Sequence, residues 1–213
     1  MLRREASQLF GPRLADALGA SPDPSCIAPA LVTLWARMSQ SSDGEELETS
    51  WTQFFDVLRE RRPFRGAYYH PGWSPCALAP SVRAPANVRA VSALLMRFGR
   101  GSGARLSQAQ NAFDGVHGLI VTTHRHSRAV PDFVAVLPYS RLVSSAEHRK
   151  LAVWAMKRAA ARGLPRGHSA PNGAGFTFLT GVIPGAPFEV VELRGDALHV
   201  DAILGEPLPL ERQ

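Results

Sequence analysis

The chain has 213 residues, 24 of them basic and 18 acidic, for a formal charge of +6. An apolar fraction of 45% and a charged fraction of 20% fit a packed domain. They exclude an acidic disordered tail, a collagen-like repeat and a small disulfide-stapled scaffold, and leave one large domain or two small ones.

Charge is unevenly placed. Only Lys150 and Lys157 are lysines, and Asn and Ile are also scarce, as a GC-rich genome produces. Residues 1–60 hold five basic and nine acidic side chains, and residues 167–213 hold two against six, each a net of −4. The stretch 61–166 holds 17 basic groups against Asp114, Asp132 and Glu147, and 61–113 holds no acid at all. Base composition enriches arginine everywhere but does not clear acids from one segment. Two readings follow: a local anionic partner, or acidic ends that fold back and neutralise the middle.

No run approaches the ~18 apolar residues of a transmembrane helix. Polar residues directly after Arg3 and Arg4 argue against a signal peptide. The expected location is the cytoplasm, or host cytosol or nucleus for a viral or effector protein. Two cysteines without a CxxC give at most one disulfide and no zinc-finger spacing.

In chain order, Pro12 to Leu18 reads as a short helix before Gly19, and Ile27 to Met38 as a second. Over 43–62, Leu47, Trp51, Phe54, Phe55 and Leu58 form one helical stripe, with Ser42 and Glu45 as a capping box. Residues 63–85 are irregular and aromatic. Pro85 to Phe98 reads as a further helix, and Gly99-Arg-Gly-Ser-Gly103 as a basic connector. The pattern then changes period. Val116–Thr123 and Phe133–Leu137 read as strands, and Ser144 with Glu147 caps a helix to about Arg162. Phe188–Leu193 and Ala197–Leu204 read as a strand pair turning at Arg194-Gly-Asp196. The expected fold is α+β: a helical N-terminal half, then a mostly antiparallel sheet with one covering helix. The expected organisation is a helical region 1–98, a connector 99–115 and a β-rich region 116–213 carrying helix 145–162, or one domain overall.

Helix 145–162 places Lys150, Trp154, Lys157 and Arg158 on one face, flanked by Arg149. A ring among cations suits base stacking and phosphate neutralisation. With Arg97, Arg100 and Arg105 these form the candidate nucleic-acid contacts. A solvated basic face with Trp154 turned inward is the plainer alternative. An enzyme reading would use Cys26 or Cys76 as nucleophile, His117 as base and Asp132 as its orienter. His124 and His126 share one side of an extended chain, as metal ligands can, but further ligands are missing locally. No metal or cofactor is expected. The expected function is a soluble protein whose basic centre binds an anionic partner, nucleic acid first. The alternatives are a Cys–His hydrolase or transferase, or a microbial or viral accessory module docking an acidic protein.

Overall fold

The computed structural model describes residues 27–37, 44–66, 68–80, 82–99, 101–165, 167, 177–178 and 180–205. The expected helix at 12–18, Cys26 and Arg100 lie outside them. Two antiparallel sheets organise the chain. The first has strand order β2-β1-β3-β9, from β1 (Ala30–Trp35), β2 (Glu45–Thr49), β3 (Gly72–Ser74) and β9 (Thr177–Phe178). The second has order β10-β7-β8-β5-β4, from β4 (Cys76–Leu78), β5 (Val88–Phe98), β7 (Gly118–Thr122), β8 (Phe133–Val143) and β10 (Val190–Leu193). A two-stranded parallel pair joins β6 (Gly115–Val116) to β11 (Gly195–Asp196).

Four α-helices complete the described residues: α1 (Trp51–Arg59), α2 (Leu106–Ala112), α3 (Ser145–Ala161) and α4 (Val200–Gly205). The chain is α+β, but its N-terminal half is not helical, and three expected elements change type. Ile27–Met38 contains β1, whose Val32, Leu34 and Trp35 are buried. Pro85–Phe98 is β5 after a single 3-10 turn at Pro85–Asn87. The reason is shared: β5 is an inner strand covered on both faces, so Val91 to Met96 are all buried. A strand of that kind is apolar throughout, and its residues satisfy a helical stripe by coincidence. Most of Ala197–Leu204 belongs to α4, which starts at Val200, and not to a strand, and Gly195–Asp196 pairs with β6 instead of turning a hairpin.

The helix expected over 43–62 divides. Glu45–Thr49 is strand β2, and α1 begins at Trp51 with Ser50, not Ser42, as its cap. Ser50 Oγ accepts from Gln53 N–H at 3.2 Å, and Gln53 Oε1 accepts from Ser50 N–H at 3.3 Å. The stripe Trp51, Phe54, Phe55 and Leu58 is buried as expected. Each such side chain contributes about 1.5–3 kcal/mol by leaving water.

Two cores flank the second sheet. Leu94, Met96 and Phe98 of β5 pack with α2, α3 and α4 on one face. Ala93 and Leu95 pack with α1 and the first sheet on the other. Helix α3 starts as expected: Ser144 Oγ accepts from Glu147 N–H, and Glu147 Oε2 accepts from Ser144 N–H at 2.8 Å. Its Leu151, Ala152, Ala155 and Ala159 are buried.

Candidate nucleic-acid interface

Among the described residues, a group of buried polar side chains lies at the end of the β7–β8 hairpin, beside the α1 face of the second sheet. His70, His124, His126, Asp132 and Thr180 are all buried there. Asp132 organises the hairpin loop. Its Oδ1 accepts from Thr123 Oγ1 at 2.7 Å, and Arg97 Nη2 lies 3.5 Å from the same oxygen. Asp132 N–H donates to His126 Nδ1 at 3.3 Å, so the proton of a neutral His126 ring sits on Nε2, 3.3 Å from Glu189 Oε1. A carboxylate out of water needs such partners, because isolated it would cost several kcal/mol.

His124 faces elsewhere. Its ring stacks on Phe64, with centroids 3.8 Å apart and planes at 4°. Burial, then the nearby Arg125 cation, pushes its pKa from 6.5 down to about 4, so it is neutral at pH 7. Phe64 also meets His70, at 4.9 Å. The loop carrying them closes on itself: Gly66 O accepts from Tyr69 and His70 N–H at 3.2 and 3.0 Å. Phe64 N–H donates to Val182 O at 3.0 Å, anchoring that loop beside Thr180 and Gly181. Beneath the rings lies a cavity of about 20 Å3, room for one water, between Leu58, Trp73, Val134 and Thr180.

Four arginines adjoin this stack in the chain and are exposed: Arg61 and Arg65 beside Phe64, and Arg125 and Arg128 in the hairpin loop. Among the described residues Tyr68 and Tyr69 are the most exposed large hydrophobic side chains, at 72% and 63%, and the Arg37 guanidinium lies 5.7 Å from the Tyr69 ring. Nothing in the sequence signals that Phe64 meets His124, since the pair is sixty positions apart. The composition around Phe64 (arginine, tyrosine, no acid) was the available signal.

The sequence-derived candidates separate. Arg97 lies in this group, opposite Val134 in the β5–β8 register. Arg149 and Lys150 are exposed on α3, while Lys157 and Arg158 are half-buried. The Arg158 guanidinium covers the half-buried Trp154 ring at 5.4 Å and donates to Asp114 O at 3.2 Å. Arg105 is exposed at the start of α2. Asp132 and His117 are not brought together: by the β7–β8 register they stand at opposite ends of the hairpin. His117 packs 5.5 Å from Phe55, and burial lowers its pKa. Cys76 is on β4, with β5 and β8 between it and β7. Its thiol contacts Ser74 Oγ at 3.0 Å, and burial pushes its pKa up to about 11.

Acidic residues from both ends do fold back on the basic middle. Glu46 pairs with Arg89 at 2.6 Å, Asp201 with Arg141 at 2.8 Å, and Glu189 approaches His126. Among the described residues no group of His, Cys, Asp and Glu could hold a metal ion, and no helix is long and apolar enough to cross a membrane.

The chain is thus α+β, with a narrow cleft between its two sheets and, beside Phe64 and His124 in the chain, loops that carry exposed arginines. No family model and no curated protein matches it. Among solved structures it is similar to the AEP domain of the cyanophage S-2L primase-polymerase, with a TM-score of 0.44 and 11% identity, covering 82% of this chain and 88% of that one. A likeness that slight defines neither a family nor an activity.

Proposed function

We propose that the chain binds nucleic acid at the mouth of this cleft. One observation carries the reading: the Phe64–His124 stack joins two loops that each bring exposed arginines, Arg61 and Arg65 from one, Arg125 and Arg128 from the other. Guanidinium groups neutralise phosphates, and the exposed Tyr68 and Tyr69 rings offer faces on which unpaired bases stack. Arg97 stands deeper, held by Asp132. Of the acids nearby, Asp132 is held by Thr123 and Arg97, Glu60 is paired with Arg62, and Glu189 approaches His126 at 3.3 Å.

Retention on single-stranded DNA cellulose tests this. The wild type is retained at low salt and elutes as salt rises. The variant R61Q/R65Q/R125Q/R128Q elutes at lower salt than the wild type while keeping its thermal transition. Equal retention of the two proteins, or recovery of an acidic protein partner and no nucleic acid from cells, contradicts the reading.

A further inference from the structure

The chain carries a second cationic surface on the far side of the sheet. Strand β5 separates the two. Leu95 packs against the α1 side and Arg97 follows it two residues on, whereas Leu94, Met96 and Phe98 pack against the α3 side. Helix α3 turns Leu151, Ala152, Ala155 and Ala159 to the sheet, leaving Arg149 and Lys150 exposed and Trp154, Lys157 and Arg158 half-buried.

The charge on this helix is one-sided. Its one acid, Glu147, is engaged by Arg141 at 2.8 Å, and Asp114 is an exposed acid near its C-terminal half, where Arg158 reaches the Asp114 carbonyl. Lys150, Trp154 and Arg158 recur at successive turns, with the guanidinium lying over the indole. Cations in a row complement a phosphate backbone, and a flat guanidinium–indole pair complements a base; an acidic protein surface would call for the cations alone.

We infer that one chain holds two separate segments of single-stranded nucleic acid, one at the cleft mouth and one along α3, an inference that rests on the nucleic-acid reading above. Sites on opposite faces of one sheet cannot be covered by one short strand, so the protein bridges strands.

Native mass spectrometry of the full chain with 12-residue oligothymidylate at low salt counts the bound strands. The wild type takes two per chain. K150Q/K157Q takes one, R125Q/R128Q takes one, and the combined variant takes none. Photo-crosslinking of iodouridine-substituted strand to the wild type, which needs no variant, labels peptides from both 123–132 and 145–161. One strand per chain at saturation, or crosslinks confined to one segment, overturns the second site and leaves the cleft reading standing. No binding by the wild type overturns both.

Discussion

Phe64 and His124 lie ring on ring, 3.8 Å apart and 4° from parallel, although sixty residues separate them. This contact, with the Phe64–Val182 hydrogen bond, fastens the 63–70 loop to the β7–β8 hairpin. His124 is uncharged there first because it is buried, and then because Arg125, Arg97 and His70 face the ring with only Asp132 favouring a proton.

Stability should therefore fall as pH drops from about 6.5 to about 4. A histidine whose pKa is lowered on folding binds its proton more readily in the unfolded chain, so acid favours unfolding throughout that window. The loss is on the order of 2–3 kcal/mol. Urea titrations at several pH values should show this slope in the wild type and a flatter one in His124→Gln. Parallel slopes would remove His124 as the source.

Gly181 has no room for a side chain. A Cβ there would lie 2.6 Å from His70 Nε2 and 2.9 Å from Phe64 Cδ2. Gly181→Ala should cost about 1–3 kcal/mol through overpacking, and should weaken oligonucleotide binding as the loop shifts. Wild-type stability and affinity in this variant would mean the two loops are not braced against each other as described.

Arg162 donates to Asn111 O and Ala112 O, at 3.2 and 3.3 Å, and so caps the C-terminal end of α2 from α3. Arg162→Gln should cost about 1 kcal/mol. Amide exchange should accelerate first in residues 106–112. Uniform acceleration across the sheet would contradict a local role.

Cys76 should be inert. Its thiol is fully buried and its pKa pushed up to about 11, so little thiolate exists at neutral pH. In a Cys26→Ser background, a disulfide reagent at pH 7.5 should react only after denaturant is added. Rapid reaction of the folded protein would reopen the nucleophile reading.

What the sequence made legible follows from how each element is buried. Helices α1 and α3 were visible because each buries one side: Trp51, Phe54, Phe55 and Leu58 recur at helical spacing, and Ser144 with Glu147 marks the start of α3. Strands β1 and β5 read as helices in the sequence because neighbours cover both their faces, which erases the alternation that identifies a strand. At the candidate interface, Arg97 and Asp132 stand 35 positions apart in the sequence, and their contact is a product of the β5–β8 pairing. The Phe64–His124 pair was invisible because tertiary packing alone brings it together. The charge map pointed to the basic middle, and the fold then separated that middle into two faces while returning Glu46 and Asp201 to cover part of it.

The salt dependence of affinity decides whether these arginines neutralise the phosphates of a bound strand. Binding of a fluorescent single-stranded oligonucleotide, followed by anisotropy from low to physiological salt, gives the slope of log K against log salt. Each phosphate neutralised contributes about −0.7 for a single strand. The slope for R61Q/R65Q/R125Q/R128Q should be shallower than the wild-type slope by roughly 2–3. A wild-type affinity insensitive to salt, or identical slopes for the two proteins, would contradict the proposed interface.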